Sequence, residues 1–208
     1  MSHVEIINGK EITFYSDKEL EFRNKGLQEI KVVLNTIDID CILIFGILLG
    51  AVRDKNFIKW DWDVELAVFP EEIYPKFNKL EVLLLNNGFE VVKKRIESKH
   101  FKVNLIKYDN KYTLLGLHKN GDMRSSRWNQ VPSKYFDQLG EIEFLGEIYK
   151  TPSNVNKYLA FTYGENWRIP KMTYNKKEYL SSNGRIKISF VNKIINRLKE
   201  IKRVHLDI

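Results

Sequence analysis

The amino-acid sequence predicts an α/β (α+β) domain with a mixed sheet flanked by helices, small β-hairpins and a basic C-terminal helix. Short apolar runs typical of strands alternate along the chain with segments of helical periodicity, which is typical of α/β domains. A chain of 208 residues with 43% hydrophobic residues is long enough to bury one core and too short for two comfortable domains. We therefore expect residues 1–170 to form one domain, and residues 171–208 to form a basic helical extension packed on it.

The first predicted elements are a hairpin and a helix. Residues 4–14 alternate around Asn8-Gly9, a strong short-range signal for a two-residue hairpin turn, so residues 1–16 are predicted to form a β-hairpin. Asp17 is the predicted N-cap of a helix that continues to about Thr36, because its apolar residues follow helical spacing. The segment 17–69 then combines this helix with a buried strand at 42–45, a glycine-flanked turn and a strand at 64–69.

The rest of the chain alternates in the same way. Pro70, followed by two acidic residues, predicts a helix start, and Gly88 is placed to end that helix. The pattern further predicts strands at 89–96, 101–108 and 112–118, a polar loop around residues 121–128, a hairpin around Leu145-Gly146 and a short helix at 154–163.

Charge and cysteine usage narrow the class of protein. Residues 171–208 hold 10 Lys and Arg residues against 3 acidic residues, which accounts for the whole net charge of +7. The body of the domain is therefore charge-balanced, and we do not expect nucleic-acid binding. The single cysteine, Cys41, heads an apolar run, which predicts a buried structural thiol. No apolar run reaches the roughly 18 residues of a spanning helix and the N-terminus lacks a signal-peptide pattern, so we expect a cytoplasmic protein.

Residues 182–208 carry apolar residues at helical spacing, and basic residues are distributed between those apolar positions. One interpretation is a terminal helix whose stripe packs on the domain. The alternative is a basic amphipathic helix, over residues 185–203, that contacts a partner or an anionic membrane surface at the inner face of the membrane.

Two carboxylates on one predicted strand suggest a site for phosphate chemistry. Asp63 and Glu65 are two residues apart, so their side chains point to the same face of a strand and can hold a divalent cation together. Gly46 and Gly50 flank the preceding turn, where a backbone without Cβ atoms can approach a phosphate closely. Arg53 can bind a phosphate through two hydrogen bonds. An Asp-x-Glu pair alone, however, is more often a solvated strand face.

Trp60 completes this group, since it flanks the acids and is placed to wall the site or to stack on a base. The same residues carry a family resemblance. Gly46-x-Leu48-Leu49-Gly50-Ala51-Val52-Arg53, followed by Phe57-Ile58-x-Trp60-Asp61-x-Asp63-x-Glu65, resembles the signature block of the LicD/fukutin-like family, which runs close to G-T-L-L-G-A-V-R-x-x-x-F-I-P-W-D-D-D-I-D. Tyr163-Gly164-x-x-Trp167-x-x-Pro170 resembles the closing motif of that family.

The resemblance implies a nucleotidyltransferase-like fold and a transferase activity. Enzymes of this family move a phosphocholine- or alditol-phosphate-like group from a CDP-activated donor to a sugar hydroxyl of a surface glycan, with Mg²⁺ or Mn²⁺. The resemblance places Asp63 and Glu65 on the metal-binding acids of the family. It places Asp61 on the first acid of the family's acidic triplet, so all three are catalytic candidates. A contact with a glycosyltransferase complex through residues 185–203 is a further implication.

The chain departs from the family pattern at several positions. Ile47 replaces a hydroxyl residue, Lys59 replaces the proline and Trp62 replaces the middle acid, while Glu65 is one methylene longer than the usual aspartate. These departures leave two other functions open. One is nucleotidyl transfer to a small molecule, because fold does not fix substrate. The other is a non-catalytic relative that binds a glycan or a nucleotide.

The third acid expected on a neighbouring strand is replaced by Asn104. An amide oxygen can contact a cation or substrate, but it cannot act as a base near neutral pH. Asp109 has the right chemistry but falls on the opposite strand face. The remaining candidates for a base are His100, His118, Asp122 and Asp61.

A second predicted substrate-binding group lies in the polar loop. Arg124 and Arg127 are three residues apart and Trp128 follows, so two guanidinium groups and an indole could grip a pyrophosphate and stack on a base or sugar. The alternative is an ordinary surface loop.

Overall fold

The computed structural model describes residues 2–126 and 129–183, and within them a seven-stranded sheet, a three-stranded sheet and a two-stranded hairpin. The strands are β1 (His3–Ile7), β2 (Lys10–Phe14), β3 (Ile42–Leu43), β4 (Asp63–Val68), β5 (Glu90–Glu97), β6 (His100–Lys107), β7 (Asn110–Gly116), β8 (His118–Asn120), β9 (Met123–Ser125), β10 (Gln130–Pro132), β11 (Gly140–Phe144) and β12 (Glu147–Thr151). The helices are α1 (Asp17–Asn35), α2 (Phe45–Arg53), α3 (Pro70–Ile73), α4 (Phe77–Asn86), α5 (Val155–Tyr163) and α6 (Lys176–Tyr179).

The large sheet is mixed, as predicted, with the strand order β11-β12-β3-β4-β7-β6-β5. The pairs β4/β7 and β12/β3 are parallel, and the other neighbours are antiparallel. Strand β4 is therefore central and has partners on both sides. The predicted α/β class, with a mixed sheet flanked by helices, is confirmed.

The two faces of β4 have different neighbours. Val64 pairs with Tyr112 of β7, and the Tyr112 hydroxyl donates a hydrogen bond of 3.0 Å to the carbonyl oxygen of Arg23 in α1. Helix α1 therefore covers the face of the sheet that carries Val64. Because side chains alternate along a strand, Asp63 and Glu65 point to the opposite face.

The apolar residues of α1 that were read from helical spacing are buried against this sheet. Leu27, Ile30 and Leu34 are fully buried, and burial of each contributes about 1.5–3 kcal/mol of hydrophobic stabilisation. The N-cap of this helix is Ser16 rather than the predicted Asp17. The Ser16 hydroxyl accepts from the amide of Glu19 at 3.4 Å and the Glu19 carboxylate accepts from the Ser16 amide at 2.8 Å, a reciprocal capping box that fixes the helix start.

The predicted strand at 42–45 and the turn after it are only partly correct. The strand ends at Leu43, and Phe45 already begins helix α2, which contains both Gly46 and Gly50. The sharp change of direction falls on Phe45, whose φ is 51°. The two glycines therefore lie inside a helix instead of flanking a loop.

Most other predicted elements are confirmed. Asn8 and Gly9 form the hairpin turn with φ of 51° and 73°, and Gly88 follows α4 with a φ of 72°. The polar loop predicted around residues 121–128 contains β9 of the small sheet, and β7 ends at Gly116, with His118 opening β8.

The predicted C-terminal helix lies almost wholly outside the described residues, which end at residue 183. The short helix α6 precedes it. Within residues 2–126 and 129–183, no helix combines the length and the apolar character that crossing a lipid bilayer requires.

Candidate active site

A cavity of about 600 Å³ opens beside the N-terminal end of β4. Its walls come from the N-terminal hairpin, helix α2, the loop before β4, the end of α5 and the segment that follows α5. The residues that line it include Tyr15, Gly46, Arg53, Trp60, Asp61, Trp62, Asp63, Glu65, Tyr163, Trp167, Lys171, Tyr174, Lys176 and Tyr179. The signature block and the closing motif, about 100 residues apart in the sequence, therefore meet at one cavity.

The three acids of the signature block line this cavity together. Asp63 and Glu65 are on the same face of β4 and lie opposite Lys111 and Thr113 of β7. Lys111 Nζ is 3.7 Å from Asp63 Oδ2 and 4.0 Å from the centre of the Trp62 ring. Trp62 thus provides a face for a lysine at the position where the family pattern has an acid.

The environment of the acids raises the pKa of all three carboxyl groups. Burial, followed by the negative charge of Asp63, raises the pKa of Glu65 to about 7. Burial and then Asp63 raise the pKa of Asp61 to about 6, although the positive charge of Arg23 opposes them. Burial also raises the pKa of Asp63, against the charges of Lys111 and Lys176. Buried carboxylates that repel one another are stabilised by a cation between them.

This donor set fits a divalent cation held by two protein ligands. Asp63 and Glu65 supply carboxylate oxygens, and Mg²⁺ commonly takes one or two carboxylates and completes its shell with phosphate oxygens and water. Within residues 2–126 and 129–183, no group of three or more His, Cys, Asp or Glu side chains is placed to hold a metal ion. Metal binding by Asp63 and Glu65 stays a prediction. A cation held by these two carboxylates would need further oxygen ligands from a phosphate or from water.

A buried arginine that the sequence reading missed fixes the loop of Asp61. Arg23 is 1% exposed. Its Nη1 donates to the Asp61 carbonyl oxygen at 2.7 Å, its Nε donates to Asn110 Oδ1 at 2.8 Å, and its guanidinium carbon lies 4.5 Å from the centre of the Tyr15 ring. Arg23 therefore connects α1, the loop that carries Asp61 and the cavity wall at Tyr15. A single Arg within a helix carries no local signal of such a role.

The two glycines of the signature block serve packing in the helix. A Cβ atom on Gly46 would overlap Asp61 Oδ2, and one on Gly50 would lie 2.5 Å from the carbonyl oxygen of Asn56. Gly46 lines the cavity, directly against the Asp61 carboxylate. The prediction of a phosphate-binding turn is therefore wrong. Gly46 and Gly50 belong to a helix that packs closely on the loop before β4.

Arg53 and Trp60 both line the cavity, and their predicted role in substrate binding stays a prediction. Arg53 Nε and Nη2 donate to the two carboxylate oxygens of Asp54 at 2.7 Å each, and its guanidinium carbon lies 6.0 Å from the centre of the Trp60 ring. Asp54 and Trp60 hold the guanidinium group at the cavity wall. Among residues 2–126 and 129–183, the hydrogen bonds of the Arg53 side chain use Nε and Nη2 and leave Nη1 without a partner.

Asn104 lies away from the cavity. It is on β6, separated from Glu65 by strand β7, and its Oδ1 accepts a hydrogen bond of 3.2 Å from the Thr113 hydroxyl. The predicted role of Asn104 in substrate binding is therefore not supported. Of the alternative bases, His100, His118 and Asp122 are also absent from the cavity wall, whereas Asp61 is part of it.

Arg124 also lies elsewhere, because its guanidinium group is engaged within the fold. Arg124 Nη1 donates to the Leu117 carbonyl oxygen at 2.9 Å, Nη2 lies 2.8 Å from Glu71 Oε1, and the guanidinium carbon is 3.8 Å from the centre of the Phe69 ring. These contacts fasten the small sheet to the end of β4, which corrects the predicted substrate contact. Arg127 and Trp128 lie outside the described residues.

The segment 171–180, which we call the C-terminal strap, supplies part of the wall that the sequence reading did not assign to the site. Tyr174, Lys176 and Tyr179 of the strap line the cavity, as do Tyr163 and Trp167 of the closing motif. The mixture of basic and aromatic residues in the strap is the only local signal of this role. The sequence predicts these residues as part of the basic C-terminal extension, without a role in the site.

Comparison with known proteins places this site in a family. A family model described as LicD/FKTN/FKRP, nucleotidyltransferase domain, matches residues 38–154, more than half of the chain, including α2 and β4 with all three acids. The ribitol 5-phosphate transferases FKRP of Homo sapiens and Mus musculus are each 26% identical over 131 residues, which cover 57% of this chain and 26% of the relative. The chain thus spans about a quarter of the length of these relatives.

Among solved structures, the antibiotic-resistance factor ANT(2″)-Ia in solution is similar with a TM-score of 0.48 and 11% identity, over 64% of this chain and 66% of that chain. Its crystal structure with adenylyl-2″-tobramycin gives a TM-score of 0.47 and 11% identity, over 63% of this chain and 69% of that chain. The match of residues 38–154 to the family model, with the signature acids gathered at one cavity, decides the assignment. The chain belongs to the LicD/FKTN/FKRP family and contains its nucleotidyltransferase domain.

Proposed function

We propose that the protein is a metal-dependent transferase that moves a phosphocholine- or alditol-phosphate-like group from a CDP-activated donor to a sugar hydroxyl of a surface glycan. The observation that carries this proposal is that Asp61, Asp63 and Glu65 line one cavity together with Arg53 and Lys176. Acids that can hold a cation and basic groups that can bind phosphate are the two requirements of phosphoryl-group transfer. The relatives named ribitol 5-phosphate transferase support an alditol phosphate as the transferred group.

The size and walls of the cavity suit a nucleotide-activated donor. A volume of about 600 Å³ is within the roughly 300–1,000 Å³ of small-molecule sites. Trp60, Tyr163 and Trp167 give it aromatic surfaces on which a base or a sugar ring can stack. The donor would place its pyrophosphate near the β4 acids, because that is where the cation and the basic groups converge.

In the proposed reaction the acceptor hydroxyl oxygen attacks the distal phosphorus of the donor. The bond between that phosphorus and the bridging oxygen breaks, and CMP leaves with the bridging oxygen and its electron pair. A divalent cation bound by Asp63 and Glu65 would neutralise the charge that develops on the phosphate oxygens. Arg53 Nη1 would contribute a further donor to those oxygens.

Asp61 would accept the proton of the acceptor hydroxyl. Burial raises its pKa to about 6, which leaves it mostly ionised near neutral pH and more basic than an ordinary aspartate. Gly46 and the hydrogen bond from Arg23 to the Asp61 carbonyl oxygen hold this residue in place. Asp61 thus fills the role for which the sequence reading had no assigned residue.

The test is product analysis with CDP-ribitol, CDP-glycerol and CDP-choline as donors, with Mg²⁺ or Mn²⁺ and a panel of sugar acceptors. We expect transfer of the phospho-linked group and release of CMP, with metal-dependent CDP binding that Asp63→Asn removes. The matched control is Asp38→Asn, the same change at an exposed acid outside the cavity wall. Transfer of the nucleotide monophosphate itself would instead establish nucleotidylation. Metal-independent binding that Asp63→Asn leaves unchanged would establish a non-catalytic relative.

A further inference from the structure

The C-terminal strap begins at residue 171, beyond residue 154, which is the last residue that the family model matches. It nevertheless contributes to the wall of the cavity through several side chains, among them Lys171, Tyr174, Lys176 and Tyr179. Part of the site in this chain is therefore built by residues outside the family domain.

The strap is held in place by contacts at three points. The Tyr174 hydroxyl accepts a hydrogen bond of 3.0 Å from the Thr13 amide in the N-terminal hairpin. Lys10 of the same hairpin lies 3.1 Å from Glu178 Oε1. Beyond the strap, the Ser181 amide donates to the Thr162 carbonyl oxygen of α5 at 2.8 Å. These contacts fix the strap side chains at the wall of the cavity that the β4 acids also line.

Lys176 and Tyr179 line the same cavity as the β4 acids. The positive charge of Lys176 lowers the pKa of both Asp63 and Glu65, against the effect of burial. Burial, followed by the charges of Asp61, Glu65 and Asp63, raises the pKa of Tyr179. The Tyr179 hydroxyl therefore stays protonated and available as a hydrogen-bond donor close to the acids.

Arg53 and Lys171 are further basic groups of the cavity wall. Arg53 forms its two hydrogen bonds with Asp54, and Lys171 Nζ donates to the Glu178 carbonyl oxygen of the strap at 3.3 Å. A ligand that fills the cavity meets Lys176 and Tyr179 as well as the β4 acids, because all of them line it. Charge-assisted hydrogen bonds from an ammonium group to phosphate are among the stronger polar contacts in proteins.

We propose that the strap forms the second half of a phosphate-binding site, in which the Lys176 ammonium group and the Tyr179 hydroxyl donate to the pyrophosphate oxygens of the ligand. The proposal deepens the function proposed above, and rests on it in assigning that pyrophosphate to a nucleotide-activated donor. The binding of a pyrophosphate group itself can be measured without any transfer reaction.

The chain offers a matched control in the next residue. Lys177 has the same charge, is also exposed and belongs to the same short helix, but it does not line the cavity. Lys176→Met and Lys177→Met therefore remove the same net charge at adjacent positions. Lys176→Arg restores the charge at the position that faces the cavity.

The experiment is titration calorimetry of the full chain with inorganic pyrophosphate and with CDP, in Mg²⁺-containing buffer. Lys176→Met is expected to weaken binding of both by about 10- to 100-fold, the range expected for loss of one hydrogen bond to a charged group. Lys177→Met is expected to bind within about twofold of wild type, since an exposed charge at a distance is largely screened. Lys176→Arg should restore most of the affinity, and Tyr179→Phe should weaken binding less than Lys176→Met does.

Equal losses in Lys176→Met and Lys177→Met would mean that only the general charge of the segment matters, and would overturn the proposal. So would unchanged binding in Lys176→Met, or no binding of pyrophosphate and CDP by the wild-type protein. The proposed function is judged separately. If every CDP-linked donor fails to react while Lys176 still controls pyrophosphate affinity, the transferase proposal fails and the strap proposal stands. If transfer proceeds in Lys176→Met with an unchanged KM for the donor, only the strap proposal fails.

Discussion

Replacement of Glu65 by glutamine is expected to stabilise the metal-free protein at neutral and alkaline pH. Burial and the negative charge of Asp63 raise the pKa of Glu65 from 4.5 to about 7, so the folded state binds this proton more tightly than the unfolded state does. The free energy of unfolding of the wild type should therefore fall as pH rises from about 4.5 to about 7, and stay lower above that. Glutamine has nearly the same shape but remains neutral.

The size of the effect follows from the same pKa. A rise from 4.5 to about 7 corresponds to about 3 kcal/mol at 1.36 kcal/mol per pKa unit. Below about pH 4 the Glu65 carboxyl is protonated in both states, and the difference between the variant and the wild type should be close to zero. At about pH 8 the variant should be more stable by about 2–3 kcal/mol.

The assay is urea unfolding followed by tryptophan fluorescence, in EDTA, at several pH values between about 4 and 8. The exposed strand residue Glu11 provides the control, since Glu11→Gln should change the free energy of unfolding by less than about 0.5 kcal/mol at every pH. Mg²⁺ added at about pH 8 should stabilise the wild type more than Glu65→Gln. A Glu65→Gln effect that is independent of pH, or a variant less stable than wild type at pH 8, would refute the reasoning.

Three other substitutions and one labelling experiment test separate parts of the structure. Gly46→Ala should displace the Asp61 side chain, which its Cβ would overlap, and so abolish transfer from the CDP-linked donor while the melting temperature stays near that of wild type. Gly50→Ala should instead lower the melting temperature, because its Cβ would meet a backbone oxygen at 2.5 Å. Arg124→Met should lower the free energy of unfolding in urea by about 2 kcal/mol and leave CDP affinity unchanged; a loss of affinity in the folded protein would restore its predicted role in the site. The Cys41 thiol, whose pKa burial raises to about 12, should not react with an aromatic disulfide reagent at about pH 8 until urea unfolds the chain; rapid labelling of the folded protein would contradict the buried position.

Local signals predicted the elements that depend on local chemistry. Asn8-Gly9 fixes a hairpin turn through its two positive φ angles, and Gly88 ends a helix for the same reason. Helix α2 was not predicted, because its nine residues are mostly apolar and a short apolar run has no periodicity that separates a helix from a strand. Gly46 is required by Asp61, which lies 15 positions later, and no local pattern expresses that contact.

The difference between local signals and contacts with distant residues also explains which site residues were predicted correctly. The two-residue spacing of Asp63 and Glu65 predicts one strand face, and the structure confirms this placement at the cavity. The fate of Arg124 depends on Glu71 and Phe69, which lie more than 50 positions away. An arginine in a polar stretch looks the same whether it meets a substrate or a carboxylate and an aromatic ring of its own fold.

The contact between the N-terminal hairpin and the C-terminal strap has a consequence for how the protein folds. Tyr174 meets Thr13 across 161 positions of sequence, and Glu178 meets Lys10 across 168. Contacts with such long loops form late, because the entropy of loop closure opposes them until the rest of the fold is in place. On the ribosome, the sheet and its three acids can assemble while residue 174 has yet to emerge. A growing chain would therefore carry the acids before the strap completes the wall of the cavity around them.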